Sequence, residues 1–485
     1  MRTRAATIPF CFILILFSVS AVGQDFRVVR MLQGNDSISF AAVRYNRTDY
    51  GIAVVDANAR VKWQLPVPGY ILGMGRQKDE LFVFYTEMIT MHNFSRKKTI
   101  HVITVSLKRR SQVSDNIAFT NPGNHTVVPE VLNDPDGNFN FLLVRTTGNK
   151  GSGMVQVGTA GPDKEANTDL VSIITLDDAG NASATDIPTM AQNGKYIVSC
   201  TDAGKNLYLT SFVDGKLTME YFDRSLKLVS SLATPLDLKE KYEYKSVIRC
   251  DGNAPNAVDF SLYYENNSKR FNNALYRFDF SAKKVLTAPE VPLTKEYIRD
   301  KQAQNPGSAF SSLKVIDELK PVGILETPDK ILVVKEIQYV YSKFNPQERQ
   351  QADRFTHEGA VVEIYSKDLK LLHELALGKY VETFVETGYD VNFHIKDGNL
   401  FVVSCEQGGV ASYADYVYVI SLNDYSVSRK ALARAGAGRD MYMEAANMIW
   451  NTNNFITPVS YVREFFGTTF RTSFQKYTYD QILKN

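Results

Sequence analysis

Nine side chains carry most of the binding chemistry that the sequence offers. Tyr70, Tyr196, Tyr244 and Tyr389 stand at the head of short, strand-like stretches. A tyrosine supplies a flat ring for stacking on a sugar or a peptide, and one hydroxyl. Glu87, Arg145, Glu265 and Glu406 each end another apolar stretch. Carboxylates from distant stretches, brought face to face, would form the pair that glycoside cleavage requires. His357 stands in a charged run, KFNPQERQQADRFTHEG (343–359), with Glu348, Arg349, Asp353, Arg354 and Glu358. By composition that run reads as a solvated, helix-prone insertion. These nine are the candidate ligand-binding residues. No catalytic residue, metal ligand or cofactor is assigned.

Familiar catalytic signatures are missing. There is no H-E-x-x-H of a zinc peptidase and no G-x-S-x-G nucleophile elbow. The histidines at 92, 101, 125, 357, 373 and 394 never fall at ligand spacing on one element, so a metal would need ligands gathered from distant strands. The glycine-rich run GNKGSGMVQVGTAGPDKEANTD (148–169) lacks the spacing of a phosphate loop and reads as a surface loop. MITMHNFSRKK (88–98) is a second long loop, with His92, Arg96, Lys97 and Lys98. NDPDGN (133–138) has its glycine too early for a calcium loop and reads as a turn. Asn35, Asn46, Asn93, Asn124, Asn181 and Asn266 open N-x-S/T triplets, acceptors for glycosylation in a eukaryotic secretory pathway.

The elements that must position these residues repeat. VVDANARV (54–61) is two strand ends joined by a tight polar turn. Similar units recur at 105–113, 174–182, 220–229, 276–285, 363–372 and 419–427, seven in all. Ahead of each lies another apolar strand, such as ISFAAVRY, ELFVFYTE or KILVVKEIQYV, mostly with a short turn before it. The unit is therefore strand, turn, strand, loop, strand, turn, strand. That repeat predicts an all-β, seven-bladed β-propeller of four-stranded antiparallel blades, with six or eight as the neighbouring counts. Stacked blades bury one another, so a chain of 485 residues can form one body. In such a blade the first and third turns share one face, and the longer connections gather on the other, where binding residues are expected. The expected domains are a signal peptide over 1–23, blades over 24–439, and a C-terminal segment over 440–485. That segment would pack on the ring or close it by pairing FFGTTFRTSFQKYTYDQIL with the N-terminal strand FRVVRML. RDMYMEAANMIW reads as a short helix.

VVDANARVKWQLPV also resembles a blade of the quinoprotein-like propellers, whose pattern is Asp-x-x-x-Gly-x-x-x-Trp. Asp56 and Trp63 match, while Ala59 or Arg60 replaces the glycine. The resemblance implies the fold only. With Trp63 and Trp450 as the chain's two tryptophans, the tryptophan ring of the quinone-dependent dehydrogenases in that group cannot form.

Composition narrows the partners. Arg2 and Arg4, the apolar run TIPFCFILILF and the small residues Ala21-Val22-Gly23 read as a secretory signal cleaved near Gly23-Gln24. Its removal leaves 53 basic against 53 acidic residues. A neutral chain with no long basic block is a poor nucleic-acid binder. No second long apolar run would span a membrane. Cys200, Cys250 and Cys405 end apolar runs and read as buried small hydrophobes, although one disulfide among them remains open. The expected function is a secreted or periplasmic binding or scaffold protein that recognises a protein or glycan through its long-loop face. The alternative is a carbohydrate-active hydrolase or lyase on the same fold.

Overall fold

The computed structural model describes residues 26–46, 48–87, 99–120, 125–133, 139–147, 168–176, 181–239, 244–250, 256–289, 291–292, 294, 296–297, 299–300, 318–345, 350–383, 390–409, 412–433, 441–463 and 469–484. The expected signal peptide and the runs 88–98, 134–138 and 148–167 lie outside the described residues.

The chain forms a β-propeller of four-stranded antiparallel blades, and the blades number eight, not seven. Blades 1 to 7 span 27–67, 70–120, 125–187, 195–235, 244–287, 319–383 and 392–432, each built from consecutive strands. The seven turns anticipated from sequence join the third and fourth strands of these blades. Blade 8 is made by the C-terminal segment. Its inner strand is split into Tyr442–Met443 and Ile449–Trp450 around a 3-10 turn at Ala445–Asn447. Both pieces pair with Asn454–Arg463, which pairs in turn with Thr469–Thr478. Two-residue strand pieces carry no alternation, which is why this blade does not register as a repeat.

Burial explains the apolar runs. Each middle strand has neighbours on both faces, so its residues alternate between two cores. In Ile38–Arg44, Phe40 and Ala42 pack with Leu81, Val83 and Tyr85 of blade 2. Ala41 and Val43 pack the other way, with Ile456 and Phe474 of blade 8. The same division recurs at every seam round the ring, ending with blade 7 against blade 8. Outer strands have one covered face, and Val61–Val67 duly alternates between exposed and partly covered positions. The ring is not closed by pairing of the tail with the N-terminal strand, as the sequence suggested. Arg27–Asn35 pairs with Ile38–Arg44 alone among the described strands. Closure comes from side chains of Phe26, Val28, Ile456 and Phe474 and from Thr472, whose hydroxyl donates to the Phe26 carbonyl at 2.6 Å.

The turn at Asp56 shows how local sequence makes these hairpins. Asp56 Oδ1 accepts the amides of Asn58 and Arg60 at 2.9 and 3.0 Å, and Ala59 takes the left-handed conformation at φ 62°. Asp223 repeats the arrangement with Ser225 and Lys227, and Leu226 takes φ 63°. The carboxylate satisfies amides the turn leaves free, which offsets the cost of a non-glycine residue there.

Cys200 and Cys250 form a disulfide, correcting their reading as two independent buried thiols. It ties the inner strands Lys195–Thr201 and Tyr244–Cys250 of blades 4 and 5. Cys405 is a buried free thiol. No described helix is long and apolar enough to cross a membrane.

Two outcomes are expected. A Cβ on Gly323 of blade 6 would lie 2.1 Å from the Phe393 ring of blade 7. Gly323→Ala should therefore cost about 1–3 kcal/mol, and Phe393→Leu should recover part of the loss in a double-mutant unfolding cycle. Replacing both Cys200 and Cys250 by Ser opens a link across 50 residues and should cost on the order of 2–4 kcal/mol, read as a lowered thermal midpoint.

Candidate functional site

Blade 6 departs from its neighbours. Its second and third strands, Lys330–Asn345 and Gln350–Ser366, run for 16 and 17 residues, against seven for Ile38–Arg44 of blade 1. The inner strand begins at Leu319, opposite Ile337. Eight further rungs, from Gln338↔His357 to Asn345↔Gln350, project beyond it on the long-loop face. The outer strand Leu371–Thr383 supports this tongue as far as Phe355↔Thr383. The charged run around His357 is therefore a strand hairpin, not a helical insertion. A bulge at Gly359, φ 47°, lies at its root. Register places Tyr339, Tyr341, Arg354, Thr356, Glu358, Tyr380 and Glu382 on one face, and Gln338, His357, Val340 and Phe355 on the other.

An ion network underlies the tongue. His357 Nδ1 lies 3.2 Å from Asp390 Oδ1 and 3.5 Å from Glu336 Oε2. Gln338 Nε2 donates to the same two oxygens at 2.8 and 2.7 Å. Lys379 donates to the other oxygen of Glu336, and Lys245 of blade 5 donates to Gln338 Oε1 at 2.5 Å. Glu336 and Lys379 are almost fully buried, at 0% and 2% exposure. Burial would push the Glu336 carboxyl up, but the Lys379 ammonium and the imidazole outweigh it, and the net shift is downward. Burial would likewise depress His357; its bonds to Asp390 and Glu336 reverse that and raise it. Asp390 is held well below the usual carboxylate range: the imidazole bond overcomes burial. Glu336, His357 and Asp390 also bring three donor atoms within 4.8 Å of one another. Lys379 and Gln338 already donate to this carboxylate pair.

On the opposite face the tyrosine hydroxyls donate to carboxylates. Tyr339 reaches Glu358 Oε1 at 3.1 Å; Tyr341 and Tyr380 reach Glu382 Oε2 at 2.8 and 3.1 Å. Arg354 lies 3.6 Å from Glu382 Oε1. Burial raises the Glu358 carboxyl; the Tyr339 bond opposes that and the Glu382 charge adds to it.

Of the nine residues anticipated from sequence, the eight described ones are distributed over several blades, with Tyr196 and Tyr244 in contact. Tyr70 is half-buried edge-on against Tyr50, ring centroids 5.4 Å apart. Tyr196 is buried, donating to Glu130 Oε2 at 2.6 Å, beside Ser199. Tyr244 donates to the Tyr196 carbonyl at 3.2 Å, with the Lys195 ammonium 4.5 Å from its ring centroid. These three pack between blades. Tyr389 lies outside the described residues. Glu265 pairs with Lys239 at 3.3 Å and Glu406 with Arg429 at 2.6 Å, each within or beside its own blade. Arg145 is bonded to Asp186 and to Ser172 Oγ in blade 3. Glu87 is exposed at the end of its strand. Of the nine, His357 belongs to the tongue. Sequence reasoning missed Glu336, Gln338, Lys379, Asp390 and the tongue tyrosines. A signal was there: KILVVKEIQYV places two adjacent charges, Lys335 and Glu336, inside an otherwise apolar strand.

No protein-family model matches the chain, and no curated protein matches it. Solved structures align along most of it at low identity. The β-propeller domain of the Trilobed protease from Pyrococcus furiosus aligns with 12% identity and TM-score 0.36, over 84% of this chain and 98% of that one. A polysaccharide lyase, an ulvan lyase bound to -[GlcA(1-4)Rha3S]-, gives 9% and 0.42, over 86% and 96%. The WD40 domain of SCAP from fission yeast gives 9% and 0.35, over 94% and 93%. At these values the alignments bear on neither activity nor ligand. The quinoprotein-like resemblance of 54–67 rests on Asp56 and Trp63.

The raised pKa of His357 fixes a pH signature. Its stabilising contribution is full below the unfolded value of 6.5 and is lost as pH rises through the higher folded value. The gap in thermal midpoint between wild type and His357→Asn should be wider at pH 5.5 than at pH 9. An equal gap at both would contradict an imidazolium bonded to Asp390 and Glu336.

Proposed function

We propose that this chain is a secreted or periplasmic β-propeller that binds a ligand or protein partner through its long-loop face, without catalysis, and that the blade 6 tongue is the binding element. The observation that carries the reading is the tongue itself. It extends past the ring, is anchored by a buried polar network, and presents tyrosines on one face and Val340, 56% exposed, on the other. A long paired extension with no covering blade is a structure to be explained by contact with something else. Export is supported by the Cys200–Cys250 disulfide, since such bonds persist in oxidising compartments, and by the signal-like residues 1–23. Among the sequence-derived candidates, His357 is the one we retain at the site.

A carbohydrate-active hydrolase or lyase is the second reading. What favours it is the neighbouring pair Glu358 and Glu382, with the Glu358 carboxyl raised by burial and by its neighbour's charge. A raised carboxyl beside a second carboxylate is an arrangement in which one serves as acid and the other as base. Release of reducing ends or unsaturated products, lost in Glu358→Gln, would establish that reading.

The binding role is tested by thermal shift on residues 24–485 with oligosaccharides, short peptides, calcium, zinc and a quinone cofactor. A probe at about a hundred times its Kd should stabilise the fold by roughly 2.7 kcal/mol. The shift should vanish when 340–355 is replaced by a two-residue turn, while the unliganded midpoint stays within a few degrees. A shift that survives the shortening would place binding elsewhere.

A further inference from the structure

We infer that the root of the tongue is a binding site for one divalent transition metal, of the zinc class, held by Glu336, His357 and Asp390. The inference goes beyond the binding role proposed above and stands without it. The three donor atoms come from the second strand of blade 6, from its third strand, and from the link into blade 7. His357 Nδ1 lies 3.2 Å from Asp390 Oδ1 and 3.5 Å from Glu336 Oε2. A charge-assisted N–H···O bond is shorter, about 2.7–2.9 Å. Ligands placed tetrahedrally at about 2.0–2.1 Å around zinc stand roughly 3.3–3.4 Å from one another. The two gaps bracket that spacing. One Nδ1 hydrogen cannot serve two carboxylates fully, whereas a divalent ion set among the three groups answers both. The remaining gap, between the carboxylate oxygens, is within 4.8 Å. Gln338 Nε2 spans it at 2.7 and 2.8 Å, standing where a cation would bridge the same oxygens. Zinc takes that place as the amide turns aside and draws the two oxygens together.

The surroundings meet the other demands of a metal site. Lys379 donates to the second oxygen of Glu336, which turns Oε2 toward the imidazole; outer-shell donors orient ligating carboxylates in this way. The same ammonium, with Lys245 on Gln338, puts positive charge near the ion and keeps its affinity below that of a closed structural site. Glu336 is buried, while the Asp390 side chain is 39% exposed, which gives the ion a path from solvent. One imidazole and two carboxylates suit zinc and its neighbours among the transition metals. Calcium takes about six to eight oxygen ligands, more than this set supplies. Three protein ligands leave a fourth position for water. The two carboxylates neutralise the ion, and the Nδ1 proton of His357 leaves to solvent as the metal replaces it. The donors lie on separate elements, so no linear spacing announces them.

The test uses residues 24–485, stripped of metal with EDTA and titrated calorimetrically near neutral pH with zinc, calcium and magnesium chlorides. Zinc should bind and raise the thermal midpoint; calcium and magnesium should do neither. His357→Asn and Asp390→Asn should each weaken zinc binding by about tenfold or more. Gln338→Ala, which removes the competing amide, should bind zinc no more weakly than wild type. His101→Asn, at another histidine–carboxylate contact, should have no effect. Wild type loaded with one equivalent, which needs no variant to fold, should show nitrogen and oxygen ligands with a single imidazole in zinc-edge X-ray absorption. No saturable zinc binding, binding indifferent to both His357→Asn and Asp390→Asn, calcium binding as tight as zinc, or ligation by sulfur or by several imidazoles would each overturn the inference. Replacing 340–355 by a two-residue turn keeps all three donors, so the zinc shift should survive it, and its loss would count against the site. A tongue ligand's shift vanishes with the same shortening, so the two readings fail separately.

Discussion

A blade whose middle strands are apolar on both faces cannot stand alone. That constraint organises this molecule. Phe40 and Ala42 turn to one neighbour, Ala41 and Val43 to the other, along a single strand. Each seam is a two-sided core, and the ring must close or leave one core in water. Here it closes through packing of Ile456 and Phe474 on blade 1, with no strand shared between first and last blades among the described residues. Most inward positions are then committed to seams. What remains for function is whatever the chain adds above the ring.

Blade 6 makes the largest addition among the described residues. Its strands continue past the point where the inner strand ends, and the chemistry of the seam changes with them. Glu336 and Lys379 are charged residues buried inside it. A lone buried charge there would be severely destabilising; together with His357, Gln338 and Asp390 the charges are paired and bonded. Such a network adds little net stability and much orientation. It fixes which face of the tongue carries the tyrosines, and it couples blade 5, through Lys245, to the link into blade 7, through Asp390.

The architecture was legible in the sequence because a propeller writes the same unit repeatedly. Seven polar turns after apolar strands were enough to find seven blades. The eighth was hidden because its inner strand is cut to two-residue pieces around Ala445–Asn447. The tongue was hidden for a different reason. QERQQADR looks like a solvated loop, yet its described residues, from Gln350, belong to a strand that pairs back as far as Lys330. The disulfide escaped because 50 residues separate its partners and only adjacency of the inner strands of blades 4 and 5 brings them together. The site fared worst. Tyrosines that open inner strands proved to be wedges between blades, as with Tyr196 on Glu130. Three of the charges that end second strands, Arg145, Glu265 and Glu406, found partners close at hand. Position along a strand predicts the face of the ring. It does not predict whether a neighbouring blade has already taken the side chain.

The central claim is that the tongue is an ordered, paired extension held by the network beneath it. Amide hydrogen exchange of the full chain, read residue by residue across 338–345 and 350–358, tests this most directly. The account predicts slow exchange at the inward-bonded amides near the base, approaching that of the blade 6 strands below, with protection decreasing toward the tip. Exchange at the rate of an unstructured chain from Gln338 onward would contradict it, and would leave the tyrosine face without the preorganisation on which its recognition role depends.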